Sequence, residues 1–214
     1  MTPSEQLHVA IASENDHVDR EVYRRLLELS LSRPVRAFET DMQFGGRMTV
    51  RSLANAFLDR AHAQGVRHAL VAIDNDGELN SRPEHADTHD RASELSNPKR
   101  GCRTCLLESC VAPRWHERGG FLCLAVPVQT IETWLLIARG HVFEGSPESN
   151  VHRNTLKRTL YGMRKPPMQQ SLAAALHAIA QPDALVRLRE RPSFMRFEQQ
   201  LRAWLDAPLS TVPS

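Results

Sequence analysis

Two carboxylates, Asp74 and Asp76, stand one residue apart at the end of the apolar run Ala69-Leu70-Val71-Ala72-Ile73, with Gly77 and Glu78 directly behind them. Acids this close repel each other unless a cation lies between them, and their hard oxygens suit Mg²⁺ or Mn²⁺. A lone Asp-x-Asp-Gly is more often a solvated turn that closes a strand. Here other acids belong to the same region. Glu14 follows the apolar run Leu7-His8-Val9-Ala10-Ile11-Ala12-Ser13, Glu39 and Asp41 follow Val35 to Phe38, and Glu132 opens the apolar segment Ile131 to Ala138. Glu132 also has a purely structural use, because a carboxylate in a first turn favours the helix dipole.

A second group of residues suits a softer metal. Cys102, Cys105 and Cys110 form a C-x2-C-x4-C cluster, with His85 and His89 upstream and His116 downstream. A C-x2-C pair has the reach of a zinc knuckle. Zn²⁺ is then held by Cys102, Cys105, Cys110 and His116, or by His85, His89, Cys102 and Cys105. The alternative is reduced cysteines and surface histidines in a loop. Cys123, on an apolar run, reads as a core residue. Trp115, between Arg114 and His116, either stacks on a base or packs its segment against the sheet.

The third group is basic. Arg153, Lys157, Arg158, Arg164 and Lys165 are the densest cations in the chain and the candidates for backbone phosphate contacts. Residues 151–206 carry ten Lys/Arg against four Asp/Glu, and the rest of the chain carries 17 against 21. The formal net charge of +2 therefore hides an acidic part joined to a basic one. Nucleic acid is the partner such a division suits, although arginine-rich helices can also be plain solvated faces.

The elements that must position these groups follow from the apolar spacing. Strands are expected over 7–13, 35–38, 68–73 and 121–126, and helices over 17–30, 49–64 and 130–138. Strand-helix alternation of this kind gives an α/β fold, a small parallel sheet of about four strands flanked by helices. All its strands share one carboxyl edge, where open α/β sheets bind ligands. Residues 77–120 form a polar insert within a domain spanning 7–140, and an insert without apolar periodicity needs something other than a core to order it. Beyond a linker at 141–150, a basic helical region covers 151–206 in segments separated by prolines.

With 214 residues, 41% hydrophobic and 24% charged, the chain suits one ordinary globular α/β unit. It lacks an apolar run of the roughly 20 residues that span a bilayer. The first residues lack a basic stretch with an apolar core behind it. The expectation is a cytoplasmic protein without a membrane partner, whose cysteines are reduced.

This order of strands and acids resembles the Toprim domain shared by topoisomerases, primases and nucleases of the overcoming-lysogenization-defect type, over about residues 7–138. Glu14 matches the family's glutamate after the first strand, and Asp74 and Asp76 match its Asp-x-Asp after a later one. Pro127-Val128-Gln129-Thr130-Ile131-Glu132-Thr133-Trp134-Leu135-Leu136 and Arg191-Pro192-Ser193-Phe194-Met195-Arg196-Phe197 look like phrases of small bacterial Toprim-like proteins, some of them associated with phage defence. The resemblance implies Mg²⁺-dependent hydrolysis of phosphodiesters. Asp74 and Asp76 would hold the ion, Glu14 would be a further ligand or general acid/base, and Glu132 would complete the shell. It also implies a partner ATPase or another defence-system protein. Neither Tyr23, inside the first helix, nor Tyr161, in the basic region, is placed as a covalent nucleophile, so hydrolysis is expected rather than strand passage. Two other readings stay open. One is a catalytically degenerate Toprim-like module that binds nucleic acid or protein. The other rests on Asp74-Asn75-Asp76-Gly77-Glu78-Leu79, which is similar to the first motif of haloacid-dehalogenase-type phosphatases, with Asp74 as nucleophile and Asp76 as acid/base.

Overall fold

The computed structural model describes residues 6–15, 17–75, 101–127, 129–144 and 153–206, with Arg47, Met48, Arg153 and Asp206 described by their backbone alone. Asp76, Glu78, His85 and His89 lie outside the described residues. Four strands, β1 (Leu7–Ala12), β2 (Val35–Ala37), β3 (His68–Ala72) and β4 (Phe121–Ala125), form an all-parallel sheet in the order β2-β1-β3-β4. The α/β expectation holds.

The period-two alternation of a strand divides the sheet's side chains between two cores. Leu7, Val9, Ile11, Leu70, Ala72, Cys123 and Ala125 face one way. Ala10, Ala12, Ala69, Val71, Leu122 and Leu124 face the other. Both faces are covered, so the strands read as continuous apolar runs.

Helix α1 (Val18–Leu31) lies on the first face through Val22, Leu26 and Leu27, and α2 (Arg47–Ala63) lies on the second through Val50, Phe57 and Leu58. The chain leaves β1 for β2 on one side, then passes back to β3 on the other. The reversal falls between β1 and β3, and the crevice beyond the carboxyl ends of such a strand pair is where open α/β sheets take ligands. Glu14 and Asp74, each two residues past its strand, flank that crevice.

Part of the polar insert corrects its sequence reading. Helices α3 (Arg103–Cys110) and α4 (Ala112–His116) complete the second face, with Leu107, Val111 and Trp115 buried beside Val50 and Phe57. The described end of the insert is therefore ordered by the core of the second face.

Helix α5 (Ile131–Ala138) is buried at every residue. A helix apolar all round needs cover on the side away from the sheet. That cover is α6 (Arg153–Tyr161), α7 (Met168–Ile179), α8 (Ala184–Leu188) and α9 (Pro192–Asp206). Leu156, Leu160, Ala175, Leu188, Phe194, Phe197 and Trp204 share one continuous core with α1, α5 and the sheet. The basic region set apart in the sequence by charge and prolines thus helps to enclose the first face. Arg187 closes α5 by donating from Nε and Nη2 to the Ala138 carbonyl at 3.0 and 2.5 Å, where the helix dipole favours a cation. Among the described residues, no helix is long and apolar enough to cross a membrane.

Candidate functional site

The turn after β1 is fixed from two directions. Asn15 Oδ1 accepts the N–H groups of His17 and Val18 at 3.0 and 3.2 Å, which caps the start of α1. From the opposite side, the Gly46 N–H donates to the Glu14 carbonyl at 2.7 Å. Gly46 does so with φ at +97°, a conformation that favours glycine.

So held, Glu14 turns its carboxylate toward the end of β3, and its Oε1 accepts the Asp74 N–H at 3.0 Å. Asp74 Oδ1 in turn accepts the N–H of Ile131, the first residue of α5, at 3.0 Å. Thr130, at the cap position of α5, makes no side-chain cap bond of its own. An acid from another strand serves instead. Two charge-assisted hydrogen bonds thus tie the β1 turn, the β3 end and the α5 N-terminus together.

Glu132, one residue further along α5, is buried with its side chain only 7% exposed. Its Oε1 accepts the Tyr161 hydroxyl at 3.5 Å and lies 3.7 Å from Lys157 Nζ. Lys157 and Tyr161 are one turn apart on α6, so this helix presents both groups to the same oxygen. Glu14, Asp19, Asp74, Glu132, Lys157, Tyr161, Arg164 and Lys165 all line a cleft of about 380 Å³. The acids share this lining with cations of the C-terminal region, Lys157 on α6 and Arg164 and Lys165 in the segment between α6 and α7.

The crowding of acids has electrostatic consequences. Burial pushes the Asp19 carboxyl up to about 8, helped by the negative charges of Glu132 and Glu14 and only partly opposed by Lys157. Asp19 is therefore mostly a neutral acid at pH 7. Burial likewise raises the phenols of Tyr23 and Tyr161 well above their ordinary value, with the surrounding acids adding to the effect. Both remain protonated, and Tyr161 acts as a donor rather than a phenolate.

Of the acids singled out in the sequence, Glu14, Asp74 and Glu132 meet at this cleft, as do Lys157, Arg164 and Lys165 among the cations. Glu39 and Asp41 do not join them. Glu39 lines a separate groove with His17, Arg20 and Arg36, and Asp41 is an exposed partner of Arg60. Arg158 is exposed on α6 and is not part of the cleft lining. Asp19 and Tyr161 are the site residues that the sequence reading missed. Asp19 stands in the first turn of α1, where a carboxylate favours the helix dipole, and it becomes a cleft residue only because α7 packs on α1 and α6 packs beside α7.

At the cysteine cluster, Cys102 and Cys105 are buried, Cys110 is half-buried and His116 is exposed at the end of α4. Trp115 is buried and donates from Nε1 to the Phe121 carbonyl at 3.1 Å, so packing accounts for it rather than base stacking. Cys123 is a core residue. Among the described residues, no group of three or more His, Cys, Asp or Glu side chains is arranged to hold a metal ion. No family model matches the chain, and no curated protein or solved structure is significantly similar to it.

Proposed function

We propose that the chain is a divalent-cation-dependent phosphodiesterase acting on nucleic acid. The observation that carries this reading is the convergence of Glu14 and Asp74, from strands either side of the sheet's switch point, on a cleft that Lys157, Arg164 and Lys165 also line.

The donor chemistry fits Mg²⁺ or Mn²⁺. The lining acids offer hard oxygens, and Mg²⁺ needs only one or two carboxylates because it keeps several of its waters. Burial, with the charges of Glu132 and Glu14 adding to it, keeps a proton on Asp19, and a bound cation would relieve the part that those charges contribute. Glu14, Asp74 and Glu132 would hold the ion, joined by Asp76. When bound, such an ion neutralises charge developing on a phosphate and acidifies a water.

The remaining roles belong to the chain itself. Glu14 is oriented by the Asp74 N–H, and Asp74 by the Ile131 N–H. Tyr161 fixes the carboxylate of Glu132. Lys157, Arg164 and Lys165 attract the phosphate backbone and read no sequence in doing so. Among the described residues of the lining, Tyr161 is the one aromatic side chain, and the three cations suit recognition of phosphate. Zn²⁺ at the cysteine cluster, a partner ATPase or defence-system protein, and a cytoplasmic setting belong to the same proposal and rest on the sequence alone.

One observation favours a second reading, the binding module. The described acids do not form a ready-made group of three around an ion. The test is Mg²⁺- and Mn²⁺-dependent cleavage of single- and double-stranded DNA and RNA by the wild type and Asp74→Asn. Asparagine keeps the acceptor that caps α5, so the variant should fold. A nuclease loses cleavage and still binds. A binding module binds in both forms and cuts in neither. A trapped aspartyl-phosphate at Asp74 would instead identify a phosphatase.

A further inference from the structure

Resting on that reading, we propose that Lys157 is a positioning residue coupling the cation to the substrate phosphate: it holds Glu132 until a cation arrives, then turns to the phosphate. The geometry gives the two partners unequal freedom. The Glu132 side chain is 7% exposed and is further held by the Tyr161 hydroxyl, whereas Lys157 is 39% exposed at the cleft wall. Only the lysine has a way out. Its ammonium sits on a flexible four-carbon stem and can swing without moving α6.

Glu14, Asp74 and Glu132 line the same cleft and would hold a divalent cation there; its charge would oppose the ammonium of Lys157 for the Glu132 oxygen. Displaced, Lys157 remains at the cleft beside Arg164 and Lys165, where an incoming phosphate meets three cations instead of two. Coupling of this kind is reciprocal. The cation strengthens phosphate binding by the factor by which phosphate strengthens cation binding. Tyr161 contacts the same oxygen but carries no charge, so it has no such role.

The experiment measures Mn²⁺ affinity of the full chain from the paramagnetic resonance signal of free Mn²⁺, with and without thymidine monophosphate. The chains compared are the wild type, Lys157→Gln and Tyr161→Phe. Lys157→Gln should bind Mn²⁺ alone at least about tenfold more tightly, because a competing charge has gone. It should bind the nucleotide about tenfold more weakly in the presence of Mn²⁺ and lose most of the coupling. Tyr161→Phe removes a hydrogen bond without removing charge and should leave Mn²⁺ affinity within about threefold of wild type. If Lys157→Gln binds Mn²⁺ no more tightly than wild type, or keeps the full coupling, the role of Lys157 is overturned and the phosphodiesterase reading stands. If Tyr161→Phe tightens Mn²⁺ as much as Lys157→Gln does, loss of contact rather than of charge sets the affinity, and the proposal falls. A wild-type chain that binds no Mn²⁺ overturns both.

Discussion

Gln200 lays its side-chain amide along the outer edge of Leu124, accepting the Leu124 N–H on Oε1 at 2.8 Å and donating from Nε2 to the Leu124 carbonyl at 3.0 Å. The side chain thus copies a neighbouring strand's peptide group. It occupies β4, the end strand of the sheet, whose outward N–H and C=O groups would otherwise be open to pairing with another chain. The same contact fastens α9 to the sheet, and with it the helical layer that shares the core of the first face.

Gln200→Ala should therefore destabilise the fold by about 2 kcal/mol, because two part-buried backbone groups lose their partners at once. Gln200→Glu keeps the acceptor for the Leu124 N–H but opposes a carboxylate to the Leu124 carbonyl, and should cost at least as much. Urea unfolding midpoints measure both, and size-exclusion chromatography at rising concentration reads the second consequence, self-association through β4. A midpoint for Gln200→Ala equal to wild type would mean that the amide adds nothing to the edge.

The strands and the helices of the first 75 residues were legible because apolar spacing alone specifies them: Leu7–Ala12, Val35–Ala37 and His68–Ala72 lie within one or two residues of their expected bounds. Glu14, Asp74 and Glu132 were legible for a related reason, since each sits at an element end on the carboxyl side of the sheet. Asp19 meets Lys157 and Tyr161, 138 and 142 residues further along the chain, only because α7 packs on α1 and α6 packs beside α7, which no local pattern carries. The core role of α3 and α4 did have a signal. Leu107, Val111 and Trp115 recur every four residues, which is helical spacing, but cysteines, Arg114 and Pro113 interrupt the apolar stripe.

His68 opens β3 with its ring stacked on Phe121 at 5.1 Å and tilted against Trp204 at the same distance. Burial, with a smaller contribution from Arg33, lowers its pKa from 6.5 to about 4. The folded state therefore binds its proton less readily than the unfolded chain, and stability falls as pH drops from about 6.5 towards 4. Solvent still reaches part of the ring, which limits the loss at pH 5 to between about 1 and 2 kcal/mol. Thermal melts at pH 7 and pH 5 should show a smaller drop in Tm for His68→Phe, which keeps the stack, than for the wild type. Equal drops would assign the acid sensitivity to other groups.

Asp19 imposes the opposite slope. Its folded pKa of about 8 lies above the ordinary carboxylate value of 3.8, so its protonated form is favoured by folding. That contribution is complete below about pH 4 and is lost as pH rises through 8. Above about pH 7.5 the His68 ring is uncharged in both the folded and unfolded chain, so the fall between about pH 7.5 and 8.5 isolates the effect. In the presence of a chelator, wild-type Tm should fall across this window and Asp19→Asn should stay nearly flat, ending as the more stable protein at the alkaline end. Parallel curves would show that burial beside Glu132 and Glu14 does not disfavour the charge of Asp19.

Gly120 lies directly under the Trp115 indole, and a methyl group at that position would overlap the ring around its Nε1 nitrogen. The indole cannot yield cheaply. It is buried, its Nε1 donates to the Phe121 carbonyl, and its backbone carbonyl accepts the Gly120 N–H at 3.2 Å. A displaced ring would also disturb the packing of Leu107 and Val111 in the core of the second face. Gly120→Ala should cost about 3 kcal/mol through overpacking and the lost hydrogen bond. The adjacent Gly119 is the control. It has φ at +69° and open space where a methyl would go, so Gly119→Ala should cost only about 1 kcal/mol of backbone strain. Urea unfolding midpoints should therefore fall much further for Gly120→Ala than for Gly119→Ala. The reverse order would mean that α4 is not anchored to β4 through this indole.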